Sequence, residues 1–203
     1  LVGWAGGTIT QGIYLAEQAS PTWPAVHINT QDEAWSSGIA VGDGAPMVVW
    51  VQGTNHLDSS TKRSIVAQKM VLGESAQDIA TDVYGDGAPS VVAGEEGYHL
   101  VYAAAPAEIG NKVPADLYYA FRDYAAPQWT AATIAITHGA VVEDDAFVDS
   151  CSVENAQIAV GSATIHVVWE QKQLLPTTTF PFSQVDHSIW YVAGSLSTTP
   201  PTW

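Results

Sequence analysis

Three side chains in the second half of the sequence, Glu170, Asp123 and Arg122, could carry out glycoside hydrolysis. Glu170 follows the aromatic residue that ends a predicted strand, and Asp123 follows Arg122 just after another such strand. Two carboxylates that flank a sugar bond can act as acid and base if burial raises the pKa of one of them. The alternative is that four candidate carboxylates, Glu170, Asp123, Glu95 and Glu96, are solvated loop or strand-end charges, because 21 acidic residues leave many carboxylates without a special role.

A second group of residues is suited to binding a ligand. Glu95 and Glu96 lie in a predicted hairpin turn, and Trp35 stands apart from the repeated aromatic positions, so we expect its ring to be exposed. Exposed aromatic rings stack on sugars, which makes a carbohydrate-binding lectin one hypothesis. Packing is the expected role of six other tryptophans, in the core or between repeats: Trp4, Trp50, Trp169, Trp23, Trp129 and Trp203.

The densest group of charges, within residues 143–154, is a candidate calcium site. Asp144 and Asp145 lie next to Glu143 in this group, and carboxylate oxygens are the ligands that Ca²⁺ prefers. The alternative is a solvated loop between repeats. No His-x-x-x-His spacing indicates zinc. Because the ligand pattern is incomplete, the sequence predicts no cofactor. Calcium is the candidate to test.

The composition excludes several classes of partner. The 203 residues include 21 acidic and 6 basic side chains, for a formal net charge of −15. Nucleic acids are not expected as partners, because phosphate binding needs clustered Lys and Arg. No apolar run reaches the roughly 18 to 20 residues of a membrane span, so membrane insertion is not expected. Charged residues make up only 13% of the chain, which favours an extracellular or cell-surface location.

Internal repetition predicts the fold. Proline stands two residues before tryptophan at 21–23, 127–129 and 201–203, and paired apolar runs that contain aromatic residues precede each phrase. Short apolar runs rich in Val, Ile, Trp and Tyr, separated by Gly, Pro and Asp, indicate strands throughout. The segment 75–83 is better interpreted as an outer strand than as a helix. Four antiparallel strands per repeat are typical of a β-propeller blade, so we predict an all-β propeller.

The repeats divide the chain into a half blade at 1–23 and blades at 24–75, 76–129 and 130–203. About three and a half blades do not close a ring of the usual four to eight. An open ring would expose strand edges, which natural proteins avoid. We therefore expect either a section of a larger propeller or a ring completed by another copy, and the start at Leu1 suggests processing or truncation.

The repeated unit resembles blades of the sialidase-like β-propeller superfamily, in which an Asp-box, Ser-x-Asp-x-Gly-x-Thr-Trp, often links the third and fourth strands. The Pro-Thr-Trp phrases at 21–23 and 201–203 look like the tail of this box, without its aspartate and glycine. A sialidase binds the substrate carboxylate with three arginines, whereas this chain has only Arg63 and Arg122. The resemblance thus implies a propeller that lacks sialidase activity of its own.

A weaker resemblance, to the FG-GAP repeats of integrin-type propellers, lies in the loop 82–89. In that family the loop binds calcium, which would make Asp82 and Asp86 ligands here. Tyr84 and Ser90 stand where further oxygen ligands are expected. The alternative is that Gly-Asp-Gly forms only a tight turn.

These observations favour a non-catalytic extracellular propeller module for binding or assembly. Its expected partner is another copy, or another segment of the same protein, and a glycan is a further candidate. The alternatives are a glycosidase-like enzyme whose site is completed by blades outside this chain, and a lectin.

Overall fold

The computed structural model describes residues 2–6, 12–16, 25–28, 33–54, 61–84, 88–105, 115–136, 142–144, 147–149, 151–175, 184–198 and 201–203. Within these residues the chain forms antiparallel sheets and no helix, which confirms the predicted all-β class. Accordingly, this part of the chain contains no helix that is long and apolar enough to cross a membrane.

The described residues form four sheets of three or four strands, each with its strands paired in sequence order. Sheet I contains β1 (Val2–Gly6), β2 (Gly12–Ala16) and β3 (Ala25–His27). Sheet II contains β4 (Glu33–Gly42), β5 (Ala45–Gly53), β6 (Arg63–Lys69) and β7 (Gln77–Val83). Sheet III contains β8 (Ser90–Ala93), β9 (Gly97–Ala104), β10 (Asp116–Asp123) and β11 (Thr133–Ile136). A ladder of β12 (Val142–Asp144) and β13 (Phe147–Asp149) precedes sheet IV, which contains β14 (Cys151–Val160), β15 (Thr164–Leu175) and β16 (Gln184–Ser195).

Sheets II and III confirm the predicted four-stranded antiparallel unit. The segment 75–83 contributes outer strand β7, as expected. Each outer strand pairs with the strand before it in sequence, so these two sheets span residues 33–83 and 90–136. The unit limits predicted after residues 23, 75 and 129 fall just before the outer strands β3, β7 and β11.

Tight turns join the first two strands of these sheets, as the glycine-containing loops predicted. In sheet II, Asp43 and Gly44 both have positive φ angles, 51° and 71°, as in a type I′ turn whose twist suits a hairpin. In sheet III, the Gly94 N–H donates to the Gly97 carbonyl at 2.8 Å. These turns place the first strand of each sheet antiparallel to its second, as the strand–turn–strand pattern predicted.

The sheets pack face to face through three apolar cores. The core between sheets I and II contains Ile13, Leu15, Ala34, Val48, Trp50 and Val66. The core between sheets II and III contains Trp35, Met47, Val49, Val51, Ile65, Ala67, Val91, Tyr98, Leu100, Tyr102 and Ala104. The core between sheets III and IV contains Val101, Ala103, Ala115, Leu117, Tyr119, Phe121, Val153, Ala156, Ile165, Val167 and Trp169. The central strands of sheets II and III are therefore buried on both faces.

The repeated aromatic residues occupy corresponding positions, as predicted. Trp50, Tyr102 and Trp169 each lie on the second strand of a sheet and face the sheet before it. They are 1%, 1% and 4% exposed, which confirms the core role expected of the two tryptophans. Trp129 and Trp203 pack against the cores between sheets, also as expected. The side chain of Trp4, and the whole of Trp23, lie outside the described residues.

Candidate functional site

Among the residues that the structure describes, nothing covers one face of sheet IV, whereas the same face is covered in the two preceding sheets. Val49 and Val101 are fully buried, whereas Val168 at the same position is 40% exposed. The pattern repeats one strand further on, where Ile189 is 76% exposed and Tyr191 60%. Their counterparts are almost fully buried: Ile65 and Ala67 in sheet II, Leu117 and Tyr119 in sheet III.

We call this surface, formed by Val168, Ile189 and Tyr191, the open face of sheet IV. These three side chains lie together because Val168 pairs with Tyr191 and the strand alternation places Ile189 on the same side. The opposite face of sheet IV packs on sheet III through Val167 and Trp169. Contiguous exposed apolar side chains of this kind mark interaction surfaces on soluble proteins.

Glu170 lies at one end of the open face, where two neighbours hold its carboxylate. Its Oε2 accepts a hydrogen bond from Asn155 Nδ2 at 2.8 Å, and its Oε1 lies within hydrogen-bond distance of His187 Nδ1. Asn155 reaches it from a β-bulge in β14, where its φ angle is 50°. Glu170 is thus part of a local hydrogen-bonded group on sheet IV.

The other two residues of the predicted catalytic set have structural partners of their own. Arg122 is buried, and its Nη2 donates to both carboxylate oxygens of Glu74 at 2.8 and 2.9 Å. Its Nε donates to the Ala126 carbonyl at 3.1 Å. Asp123 is exposed and accepts a hydrogen bond from the Ala125 N–H at 2.7 Å, as in an Asx turn. These contacts do not join Arg122 and Asp123 to Glu170.

Glu95 and Glu96 line a cleft of about 90 Å³ between the β8–β9 turn of sheet III and the β14–β15 turn of sheet IV. The exposed glutamates stand in the β8–β9 turn, as predicted. Deeper in the cleft are the side chains of His99, Tyr119 and Phe121. The cleft therefore has an acidic side and a buried aromatic side.

His99 and Tyr119 form a buried hydrogen-bonded pair in this cleft. His99 Nδ1 and the Tyr119 hydroxyl are 2.8 Å apart, and the imidazole is 5% exposed. Burial lowers the pKa of His99 to about 4 and raises that of Tyr119, so both side chains are neutral at pH 7. This neutral pair and the two glutamates line the same cleft.

Trp35 is not the exposed residue that the sequence predicted. Its ring is 8% exposed and belongs to the core between sheets II and III, and the Arg63 guanidinium lies 5.0 Å from the ring centroid. A β-bulge causes the difference: Ser36 has a φ angle of 49°, and the register shifts between Trp35 and Gly38. The bulge turns the ring towards sheet III.

The calcium candidates are only partly described. Asp82 is exposed, and its Oδ1 lies 3.5 Å from Lys62 Nζ. Asp86 and Asp145 lie outside the described residues, as does the side chain of Asp144. Within the described part of the chain no group of three His, Cys, Asp or Glu side chains is placed to hold a metal ion.

The sequence did not predict the open face, although the repeats align its residues with positions on the preceding sheets. Aligning the repeats on Trp50, Tyr102 and Trp169 places Ile189 with Ile65 and Leu117, but the alignment does not show which of these faces has a neighbouring sheet.

A scan against protein-family models finds no match for the sequence, and a search of curated proteins finds no similar protein.

Proposed function

We propose that this chain is a non-catalytic module that assembles with a second copy of itself through the open face of sheet IV. The observation that carries the proposal is the exposure of Ile189, Tyr191 and Val168 at positions that are buried in the other sheets. In sheets II and III the apolar face of the following sheet covers these positions. A further sheet packed in the same way would bury them on sheet IV.

Sheet I of the second copy offers the matching surface. In β2, Ile13 and Leu15 pack on sheet II, so Tyr14 lies on the other face. The counterparts of Tyr14 in later sheets, Tyr118 and Trp190, belong to the face that packs on the sheet before. Contact between this face and the open face of sheet IV would join copies head to tail, an arrangement that makes a ring when its rotation closes.

The sheets in this proposal are blades of a sialidase-like β-propeller, of which the chain supplies about three and a half. Support comes from the contacts between the first strands of sheets II, III and IV, which are β4 with β8 and β8 with β14. In a propeller the blades are arranged radially, which brings their first strands together. We keep the extracellular location as part of the proposal, on the strength of the low content of charged residues.

The test is sedimentation velocity of the 203-residue chain from 1 to 100 µM in 150 mM NaCl. We expect concentration-dependent association that survives higher salt, because apolar contacts are not screened and the copies are both strongly acidic. Ile189→Lys should abolish association. Leu72→Lys is the matched control, since Leu72 is a fully exposed apolar residue in the β6–β7 turn. A chain that stays monomeric at 100 µM, or an equal effect of the two substitutions, overturns the proposal.

A further inference from the structure

The outer edge of β16 is a second exposed surface of sheet IV, distinct from the open face. In sheets I, II and III the strand at this position pairs with an outer strand, which is β3, β7 or β11. On this side of β16 the described residues form one pair, Ser195 with Thr202. The Ser195 N–H donates to the Thr202 carbonyl at 2.9 Å, and the Thr202 N–H donates back at 3.3 Å. This pair has the geometry of the first rung of a fourth strand.

The Ser195–Thr202 pair shows which backbone groups of β16 point outwards. Neighbouring residues of an antiparallel strand direct their N–H and C=O groups to opposite sides. The Leu196 N–H accordingly points the other way and donates to the Ala163 carbonyl at 3.1 Å. By the same alternation, four further residues present both groups at the outer edge: Ala193, Tyr191, Ile189 and His187.

Trp190 shows that this edge also lacks a described neighbour on the covered face of sheet IV. Its indole stacks on that of Trp169, with ring centroids 6.4 Å apart, so it lies on the face that packs on sheet III. It is nevertheless 51% exposed, whereas Val66 at the same position of sheet II is 3% exposed. Val66 lies beside Asp78 of outer strand β7. The open face is on the other side of the sheet, so the unpaired edge explains this exposure.

The sequence of β16 does not protect its outer edge. Natural sheets protect exposed edges with lysine, with proline or with very short strands. β16 is 12 residues long, and its residues 187–193 include no lysine, arginine, proline or acidic residue. An edge of this kind is a template on which an extended segment adds through main-chain hydrogen bonds.

The outer strands of the other sheets indicate what kind of segment fits. Each places a small or aliphatic residue beside an apolar or aromatic one of the neighbouring strand: Val26 beside Leu15, Ala80 beside Ile65, and Ile134 beside Tyr118. Tyr118 occupies the position that corresponds to Trp190. The net charge of −15 disfavours an acidic segment. The β16 of a second copy fits poorly, because a ladder centred on Trp190 would extend into the place that Thr202 holds beside Ser195.

We propose that the outer edge of β16 binds an extended, uncharged or basic segment of another protein, which adds as an antiparallel fourth strand. Its backbone pairs with residues 187–193 of β16, and an aliphatic side chain lies next to Trp190. Binding here uses backbone groups at the edge of the sheet, so it is independent of the association through the open face.

The experiment is amide hydrogen exchange by NMR on the Ile189→Lys variant, which keeps the backbone of β16 and is designed to remove association through the open face. The added peptide copies residues 130–137, Thr-Ala-Ala-Thr-Ile-Ala-Ile-Thr, and carries two extra lysines at its C-terminus. At millimolar peptide, exchange of the outward amides should slow about tenfold, as for His187, Tyr191 and Ala193. The amides of Ser188, Trp190 and Val192 point towards β15 and should stay unchanged.

Two controls make the result specific to edge pairing. A peptide that is N-methylated at its two central residues loses one donor on each of its edges and should give no protection. Ala193→Pro removes one outward N–H at a position where an edge strand tolerates proline, and it should weaken peptide binding about tenfold.

Four results would overturn the proposal. These are an absence of protection, equal protection by the N-methylated peptide, slow exchange of the outward amides before peptide is added, and protection in the natural chain that grows with protein concentration alone. The last result would assign the edge to a second copy.

Discussion

Arg122 of sheet III and Glu74 of the β6–β7 turn in sheet II form a two-pronged ion pair, with Nη2 at 2.8 and 2.9 Å from the two carboxylate oxygens. The Arg122 side chain is 3% exposed and that of Glu74 28%, so the pair lies at the covered edge between the sheets. Arg122, a candidate catalytic residue in the sequence analysis, therefore joins two sheets. The pair is a structural contact whose loss leaves a buried charge.

Replacing Glu74 by alanine should destabilise the protein by about 2–3 kcal/mol, because it leaves the buried guanidinium of Arg122 without its carboxylate. We place the cost at the lower end for a buried pair, since Glu74 is partly exposed. Urea unfolding followed by tryptophan fluorescence measures it. Lys62→Ala is the control, because the Lys62–Asp82 pair is exposed at 3.5 Å and its loss should cost less than about 0.5 kcal/mol. Equal costs would contradict a structural role for the Arg122 pair.

The buried His99 makes stability depend on pH. Its pKa is lowered to about 4 in the folded protein, against 6.5 in an unfolded chain. Between these values the unfolded chain binds a proton that the folded one does not, so the free energy of unfolding falls as the pH is lowered. The loss from this residue should be about 2 kcal/mol between pH 7 and 4.5.

Urea unfolding at pH 7, 5.5 and 4.5 tests this, with His99→Gln and His99→Phe as variants that cannot titrate. Both should be less stable than the natural chain at pH 7 but lose less stability on acidification. Glu95, Glu96 and Tyr119 line the same cleft, and they remain unchanged in every protein compared. Parallel pH profiles in the variants and the natural chain would show that His99 is not the titrating group.

The repeats predicted the strands well because strand alternation and turn chemistry are local properties. Val48 to Trp50 and the Gly-Asp-Gly turn before it could be placed from the sequence alone. The burial of Trp35 could not be predicted, because the bulge at Ser36 moves the Trp35 side chain to the other face of the strand. The contacts of Glu170 could not be predicted either. They depend on a second bulge, at Asn155, and on the register of β16 against β15, which no local pattern reveals.

The β4–β5 turn provides a test of backbone conformation without side-chain contacts. Gly44 has a φ angle of 71°, and a Cβ atom there would meet nothing within 4 Å. Gly44→Ala should therefore cost about 1 kcal/mol from the left-handed backbone alone. Differential scanning calorimetry should show this as a melting point lower by about 2–4 °C in a chain of this length.

Gly161→Ala is the matched control, since Gly161 occupies the corresponding turn of sheet IV without a positive φ angle. Its Cβ atom would lie 3.2 Å from the Thr164 side-chain oxygen, which can rotate away. We expect less than about 0.5 kcal/mol there. If the two substitutions lower the melting point equally, the type I′ turn of sheet II is not formed.

Tyr98 links sheets II and III through its hydroxyl group. The fully buried ring belongs to the core between the sheets, and its oxygen lies 2.6 Å from the Gly42 carbonyl and 2.8 Å from that of Ala45. Tyr98→Phe keeps the ring but leaves these carbonyls without their donor, which should cost about 1–2 kcal/mol.

Hydrogen exchange of the amides in the β4–β5 turn is the sharper measurement. It should accelerate more in Tyr98→Phe than in Tyr124→Phe, because the Tyr124 hydroxyl lies against Gly42 but donates to the Gly94 carbonyl and not to the turn. Acceleration in neither variant would mean that the turn does not depend on sheet III for its stability.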